Sequence, residues 1–132
     1  AIGSAIVNNK QTTLITGDLS FLYDSNALWN NYIPKSFRII VINNGGGGIF
    51  RILPGHKDTE NFDKYFETNH NLTAQHLCKM YGFEYSDSEN MDDLFEELNS
   101  FFLIGNKPKL LEIFTPRKVN DSILLDYFKR IK

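Results

Sequence analysis

A chain of 132 residues with 42% apolar content and 11 phenylalanines is long enough for one globular domain with a buried core. Its 14 basic and 16 acidic side chains leave a net charge of -2, and no lysine-arginine cluster offers a footprint for nucleic acid. No apolar run approaches the length needed for membrane insertion, no signal peptide is read, and one cysteine, Cys78, excludes an internal disulfide and suits a reducing cytoplasm.

The first residues, "AIGSAI", lack a methionine and read as the middle of a small-residue helix, which suggests a piece excised from a longer protein. "QTTLITGD" places β-branched and apolar residues before a glycine and predicts a short buried strand ending at Gly17. "LSFLYDSNALWNNY" then spaces Leu19, Leu22, Ala27 and Leu28 along one helical face, with Asp18 or Ser20 near its start. Beyond Pro34, "FRIIVIN" reads as a strand buried on both faces, as in parallel sheets, and stops at Asn43.

After a polar middle section, "LTAQHLCKMYG" predicts a helix stopping at Gly82, "FEYS" a brief extended piece, and "NMDDLFEELNSFF" a second amphipathic helix. "PKLLEIFTP" is a strand between prolines. "SILLDYFKRIK" is a final helix with Lys129, Arg130 and Lys132 where the helix dipole favours positive charge. The alternation predicts an α/β domain whose mainly parallel sheet is flanked by helices.

Open parallel sheets bind ligands beyond the carboxyl ends of their strands. "GDLS" and "NNGGGG" occupy two such ends. If the strands are neighbours, Asp18 and the two asparagines converge beside glycines that let a ligand approach the backbone. A carboxylate, a carboxamide oxygen and a loop carbonyl are hard donors suited to a Mg²⁺ that also takes phosphate oxygens. The P-loop pattern is absent, and a dinucleotide fingerprint read from Gly45 and Gly47 meets Phe50 where its third glycine belongs.

From Gly17 to Asn44 the sequence resembles the diphosphate-binding motif of thiamine-diphosphate enzymes, which opens Gly-Asp-Gly and closes Asn-Asn. Leu19 replaces the third glycine. In that respect, and in "GDLSFLYDSNAL", "NNGGGGIFRILP", "FETNHNLTAQHLCKMYGFEY" and "LLEIFTPRKVN", it is similar to the synthase branch of menaquinone biosynthesis, with Asn69 where proline is expected. The resemblance implies the C-terminal diphosphate-binding domain, residues 1–132, of a transferase that decarboxylates 2-oxoglutarate and adds the succinyl carbanion equivalent to isochorismate.

The resemblance further implies Mg²⁺ or Mn²⁺ held by Asp18, Asn44 and the Gly46 carbonyl. It implies thiamine diphosphate contacted by Gly17, Leu19, Ser20, Asn44, Gly46 and Ile49, and a substrate wall of Ile49, Phe50 and Leu53. The catalytic glutamate of such enzymes lies on a pyrimidine-binding domain, usually from a partner subunit. No segment here resembles that domain, so a homo-oligomeric parent in the cytoplasm and an inactive isolated chain are expected.

Taken singly, Asp18 reads as a helix cap, the asparagine pair as a turn, and "GGGG" as a flexible loop. Ile49 and Phe50 fit an ordinary core as well as a wall. His70, His76 and Cys78 match no zinc spacing and read as structural, as does His56. "MDDLFEEL" reads as a charged face. Arg38, Arg51, Arg117 and Arg130 do not cluster in sequence, and Arg117 and Asn120 receive no role. Competing readings are another thiamine-diphosphate 2-oxoacid decarboxylase, of the acetolactate-synthase kind, and a non-catalytic interaction domain of the same fold.

Overall fold

The computed structural model describes residues 1–53, 55 and 59–131. His56 and Lys132 lie outside the described residues. The chain forms two compact units, residues 1–43 with 73–114 and residues 44–72 with 115–132.

The first unit alternates helix and strand: α1 (Ile2–Val7), β1 (Thr12–Gly17), α2 (Asp18–Tyr23), β2 (Phe37–Asn43), α3 (Gln75–Tyr81), β3 (Glu84–Ser88), α4 (Met91–Phe101) and β4 (Lys109–Phe114). All three strand pairings are parallel, in the order β1-β2-β4-β3. The β-branched run of β2 is central, and six of its seven residues are buried, which is why "FRIIVIN" lacks polar alternation. Phe37, Ile39, Val41 and Leu110 pack with Ala5, Phe21, Ala74 and Cys78 in one cluster. Ile40 and Leu111 pack with Phe101, Leu94 and Leu98 of α4 in another. Helices therefore flank the sheet, as the alternation predicts.

Local chemistry sets the boundaries. Gly82 ends α3 at φ +78, a backbone that glycine adopts without a Cβ penalty. Asn90 caps α4 by accepting the Asp93 N–H at 2.9 Å. The helix predicted over 19–32 is shorter: α2 ends at Tyr23, and a 3-10 turn covers Ser25–Leu28. The Ser25 hydroxyl donates to the Leu22 carbonyl, and Asn30 donates to Ala27 while accepting from the Tyr32 N–H. These local side-chain bonds compete with helix continuation. β3 outlasts "FEYS" by two residues, reaching Ser88 along β4.

Arg38 is wholly buried in β2, where its guanidinium donates to the carbonyls of Lys35, Phe37, Phe101 and Leu103 at 2.7–3.0 Å. It tethers the sheet to the end of α4. Its donors are committed to backbone oxygens, so Arg38 is a structural residue.

The second unit contains a 3-10 turn at Gly48–Arg51, a wide helical turn at Phe62–Phe66, and α5 (Asn120–Arg130). Only α5 is predicted by the sequence. Lys129 and Arg130 occupy its last turn, and Lys129 pairs with Asp126. Among the described residues, no helix is long and apolar enough to cross a membrane.

Cys78 tests the packing of α3 on the sheet. Burial, reinforced by the charge of Glu112, pushes its thiol up to about 12, so very little thiolate exists near neutral pH. Iodoacetamide at pH 8 should label the native chain far more slowly than the urea-unfolded chain. Equal rates would show that α3 does not pack as described.

Candidate functional site

In the parallel register Gly17 pairs with Ile42, so Asp18 and Asn43 follow at the same end of β1 and β2. Both are 5% exposed. Gly17, in extended conformation, occupies the cap position of α2, and Asp18 is the first helical residue. Asp18 is therefore not the cap. Its Oδ1 accepts the Leu19 N–H at 2.7 Å, while Leu19 is half-buried and Ser20 exposed. Asn43 donates its side-chain N–H to Glu112 Oε1 at 2.7 Å.

Asn44 opens the second unit, where the glycine run has a definite conformation. Gly45 lies at φ +72 and Gly46 at φ +157. A Cβ on Gly46 would stand 2.7 Å from the Glu67 carbonyl oxygen. The Gly47 N–H donates to that same oxygen at 2.6 Å, and the His70 N–H donates to the Gly45 carbonyl at 3.1 Å. Gly45 and Gly46 are thus required by the close passage of the segment 67–70, where Thr68 holds an unusual φ of +51. Composition alone suggests a flexible loop. Hydrogen bonds from the Gly47 N–H and to the Gly45 carbonyl join the run to the segment 67–70.

Glu67 anchors that segment. Its carboxylate, 1% exposed, takes the Arg51 guanidinium through both oxygens, and Arg117 stands 3.7 Å from Glu67 and 3.9 Å from Asp63. Two arginines remote in sequence therefore meet at one carboxylate. Ile49 and Leu53 are exposed, and the Phe50 ring meets Phe66 edge-on at 5.9 Å. A cleft of about 430 Å³ in this unit is lined by Arg51, Thr59, Glu60, Phe62, Asp63, Lys118 and Asp121. It contains none of the residues assigned to cofactor, metal or wall, and its mixed charges do not converge on one ligand chemistry.

The predicted site residues are thus distributed as Gly17, Asp18, Leu19 and Ser20 in the first unit and Asn44, Gly46, Ile49, Phe50 and Leu53 in the second. His70 Nδ1 accepts the Leu72 N–H, His76 is exposed on α3, and Cys78 is in the core. Among the described residues no group of three His, Cys, Asp or Glu is arranged to hold a metal. The donors at issue are of another kind: one carboxylate, one carboxamide oxygen and one backbone carbonyl. Each is a hard oxygen donor of the type that a divalent cation takes, the carboxylate lying in the first unit and the other two in the second.

Sequence reasoning missed Glu67 and Glu112. Both are single acidic residues in apolar or mixed runs, and only their partners, distant in sequence, reveal them. The "LLEIF" run carries the one usable signal, a lone carboxylate inside a strand buried on both faces.

No family profile matches the chain. It is similar over all 132 residues, at 57% identity, to a 2-succinyl-5-enolpyruvyl-6-hydroxy-3-cyclohexene-1-carboxylate synthase from Christiangramia forsetii. It is also similar over 131 residues, at 60%, to the synthase of the same name from Flavobacterium psychrophilum. The chain spans about a quarter of the length of these curated relatives, 23% and 24% respectively. Among solved structures it is similar to a thiamine diphosphate-dependent 4-hydroxybenzoylformate decarboxylase from Rhodococcus jostii, with a TM-score of 0.64 and 26% identity over 88% of this chain and 22% of that one. The resemblance to these synthases, carried by "GDLSFLYDSNAL" and "NNGGGGIFRILP", extends along the whole chain, and the fold is the thiamine-diphosphate-binding fold.

Two of the positive-φ glycines, Gly46 and Gly82, predict different costs. Gly82→Ala adds only left-handed strain, since nothing lies within 4 Å of its Cβ position, at about 1 kcal/mol. Gly46→Ala adds a backbone collision to its strain and should cost clearly more. Urea unfolding of both variants checks the order. Equal costs would mean that the segment 67–70 does not lie against Gly46.

Proposed function

We propose that this chain is the diphosphate-binding part of a thiamine-diphosphate-dependent synthase, a transferase that decarboxylates 2-oxoglutarate and joins the resulting succinyl unit to isochorismate in menaquinone biosynthesis. The observation that carries the proposal is the placement of buried Asp18 beside Asn43 at adjacent parallel strand ends, followed directly by Asn44 and the glycine run. The names of the relatives support the choice of reaction.

In this reading the Asp18 carboxylate and the carboxamide oxygen of Asn44 hold Mg²⁺ or Mn²⁺, with the Gly46 carbonyl as a third oxygen. Gly17, Leu19 and Ser20 contact the diphosphate from the start of α2. When bound, thiamine diphosphate supplies the electron sink that decarboxylation requires. Ile49, Phe50 and Leu53 present apolar surface that excludes water from the reacting centre. Phe66, edge-on to Phe50, stiffens that wall. The catalytic glutamate, the pyrimidine-binding domain and the remaining carboxylate-binding groups come from outside these residues, within a homo-oligomeric cytoplasmic enzyme.

Asp18 and Asn44 would hold the divalent cation that the diphosphate needs, so cofactor binding to the full-length protein should depend on that ion. Calorimetry should show thiamine diphosphate binding with Mg²⁺ and none with chelator. Asp18→Ala should abolish the binding at ordinary cofactor concentrations while lowering fold stability by only about 1 kcal/mol, the typical scale of one lost helix-terminal hydrogen bond. Binding of equal strength in chelator would refute this role of the ion.

The 132-residue chain by itself should give no product from 2-oxoglutarate and isochorismate even with cofactor and Mg²⁺, because half of the site is elsewhere. A turnover assay beside the full-length protein checks this. Sustained product formation by the short chain would place the activating base within these residues.

A further inference from the structure

Glu112 sits in β4 opposite Val41 of β2 and is 1% exposed. Its Oε1 accepts the side-chain N–H of Asn43 at 2.7 Å. Its Oε2 accepts the backbone N–H of Ala74 at 2.9 Å and the hydroxyl of Tyr85 at 2.8 Å. These three neutral donors come from the end of β2, the entry to α3 and the start of β3. A buried carboxylate is costly unless such donors satisfy it, and removing it would break three hydrogen bonds at once.

The chemistry of the group is directional. A carboxylate only accepts, so it selects one of the two orientations of the Asn43 carboxamide, with nitrogen toward Glu112 and oxygen turned away. A glutamine at 112 would remove that selection, since its amide offers both donor and acceptor. Tyr85 keeps the opposite side of Glu112 occupied: burial, then its bond to Glu112, raises the phenol's pKa and holds it as a donor.

Asn43 is the last residue of β2, and the next residue is Asn44. We infer that Glu112 is a positioning residue for the metal-diphosphate site, which fixes Asn43 and thereby the strand end from which Asn44 presents its oxygen to the cation. This rests on the function proposed above. Groups that orient metal ligands without touching the metal commonly change affinity by about 10–100-fold when lost.

The test is calorimetric titration of Mg²⁺ into the full-length protein in the presence of excess thiamine diphosphate, well below the unfolding midpoint, corrected for the heat of Mg²⁺ binding to the cofactor alone. Glu112→Gln is expected to weaken Mg²⁺ binding about tenfold or more. Asn43→Ala should weaken it comparably, and the double variant should be no weaker than Asn43→Ala alone, because Glu112 acts through Asn43. A purely structural Glu112 would lower the thermal midpoint and leave the affinity of the folded protein unchanged; that result, or additive losses in the double variant, overturns the inference. If Glu112→Gln does not fold, Tyr85→Phe decides, since it removes one bond to Glu112 and keeps the ring. A measurable weakening by Tyr85→Phe supports the inference and an unchanged affinity overturns it. Failure of the wild type to bind cofactor with Mg²⁺ would instead refute the functional reading itself.

Discussion

The parallel register of β1 and β2 is the constraint on which the rest depends. It sets Gly17 against Ile42, and so brings the residues that follow each strand to one end of the sheet. Parallel pairing requires burial on both faces, which the apolar run of β2 and the helices flanking the sheet provide. A slip of one residue would turn Asn43 and Val41 to the opposite face and separate Asn43 from Glu112. The register is held by side chains as well as by the ladder, since Arg38 ties the start of β2 to the end of α4 and Glu112 ties its end to β3 and α3.

Two buried carboxylates organise the surroundings of the asparagine pair in different ways. Glu112, in the first unit, uses neutral donors and sets the orientation of one carboxamide. Glu67, in the second, is paired with Arg51, and its backbone carbonyl receives the Gly47 N–H. Breaking a buried ion pair by removing one partner is strongly destabilising, so Arg51 and Glu67 are expected to be maintained together.

What the sequence made legible follows from how local each signal is. β2 was readable because its apolar run reflects burial on two faces, and the end of α3 because Gly82 supplies a left-handed turn. The motif from Gly17 to Asn44 was readable because order and spacing survive in one dimension. The break after Tyr23 was not: apolar residues recur through Ala27 and Leu28, while Ser25 and Asn30 redirect the backbone through local bonds. The helical turns at Gly48–Arg51 and Phe62–Phe66 were missed because each is a single turn with no repeat to detect. The carboxylate partnerships of Glu67 and Glu112 were hidden because they join residues 16 to 69 positions apart.

The central claim is that the two quoted strand ends hold one divalent cation for a diphosphate. The most direct measurement is a crystal structure of the full-length protein with thiamine diphosphate and Mn²⁺, in which the anomalous signal locates the ion. The ion is expected at coordination distance, about 2 Å, from an Asp18 oxygen and from the Asn44 carboxamide oxygen. An ion bound elsewhere, or a diphosphate held without Asp18 and Asn44, would contradict it.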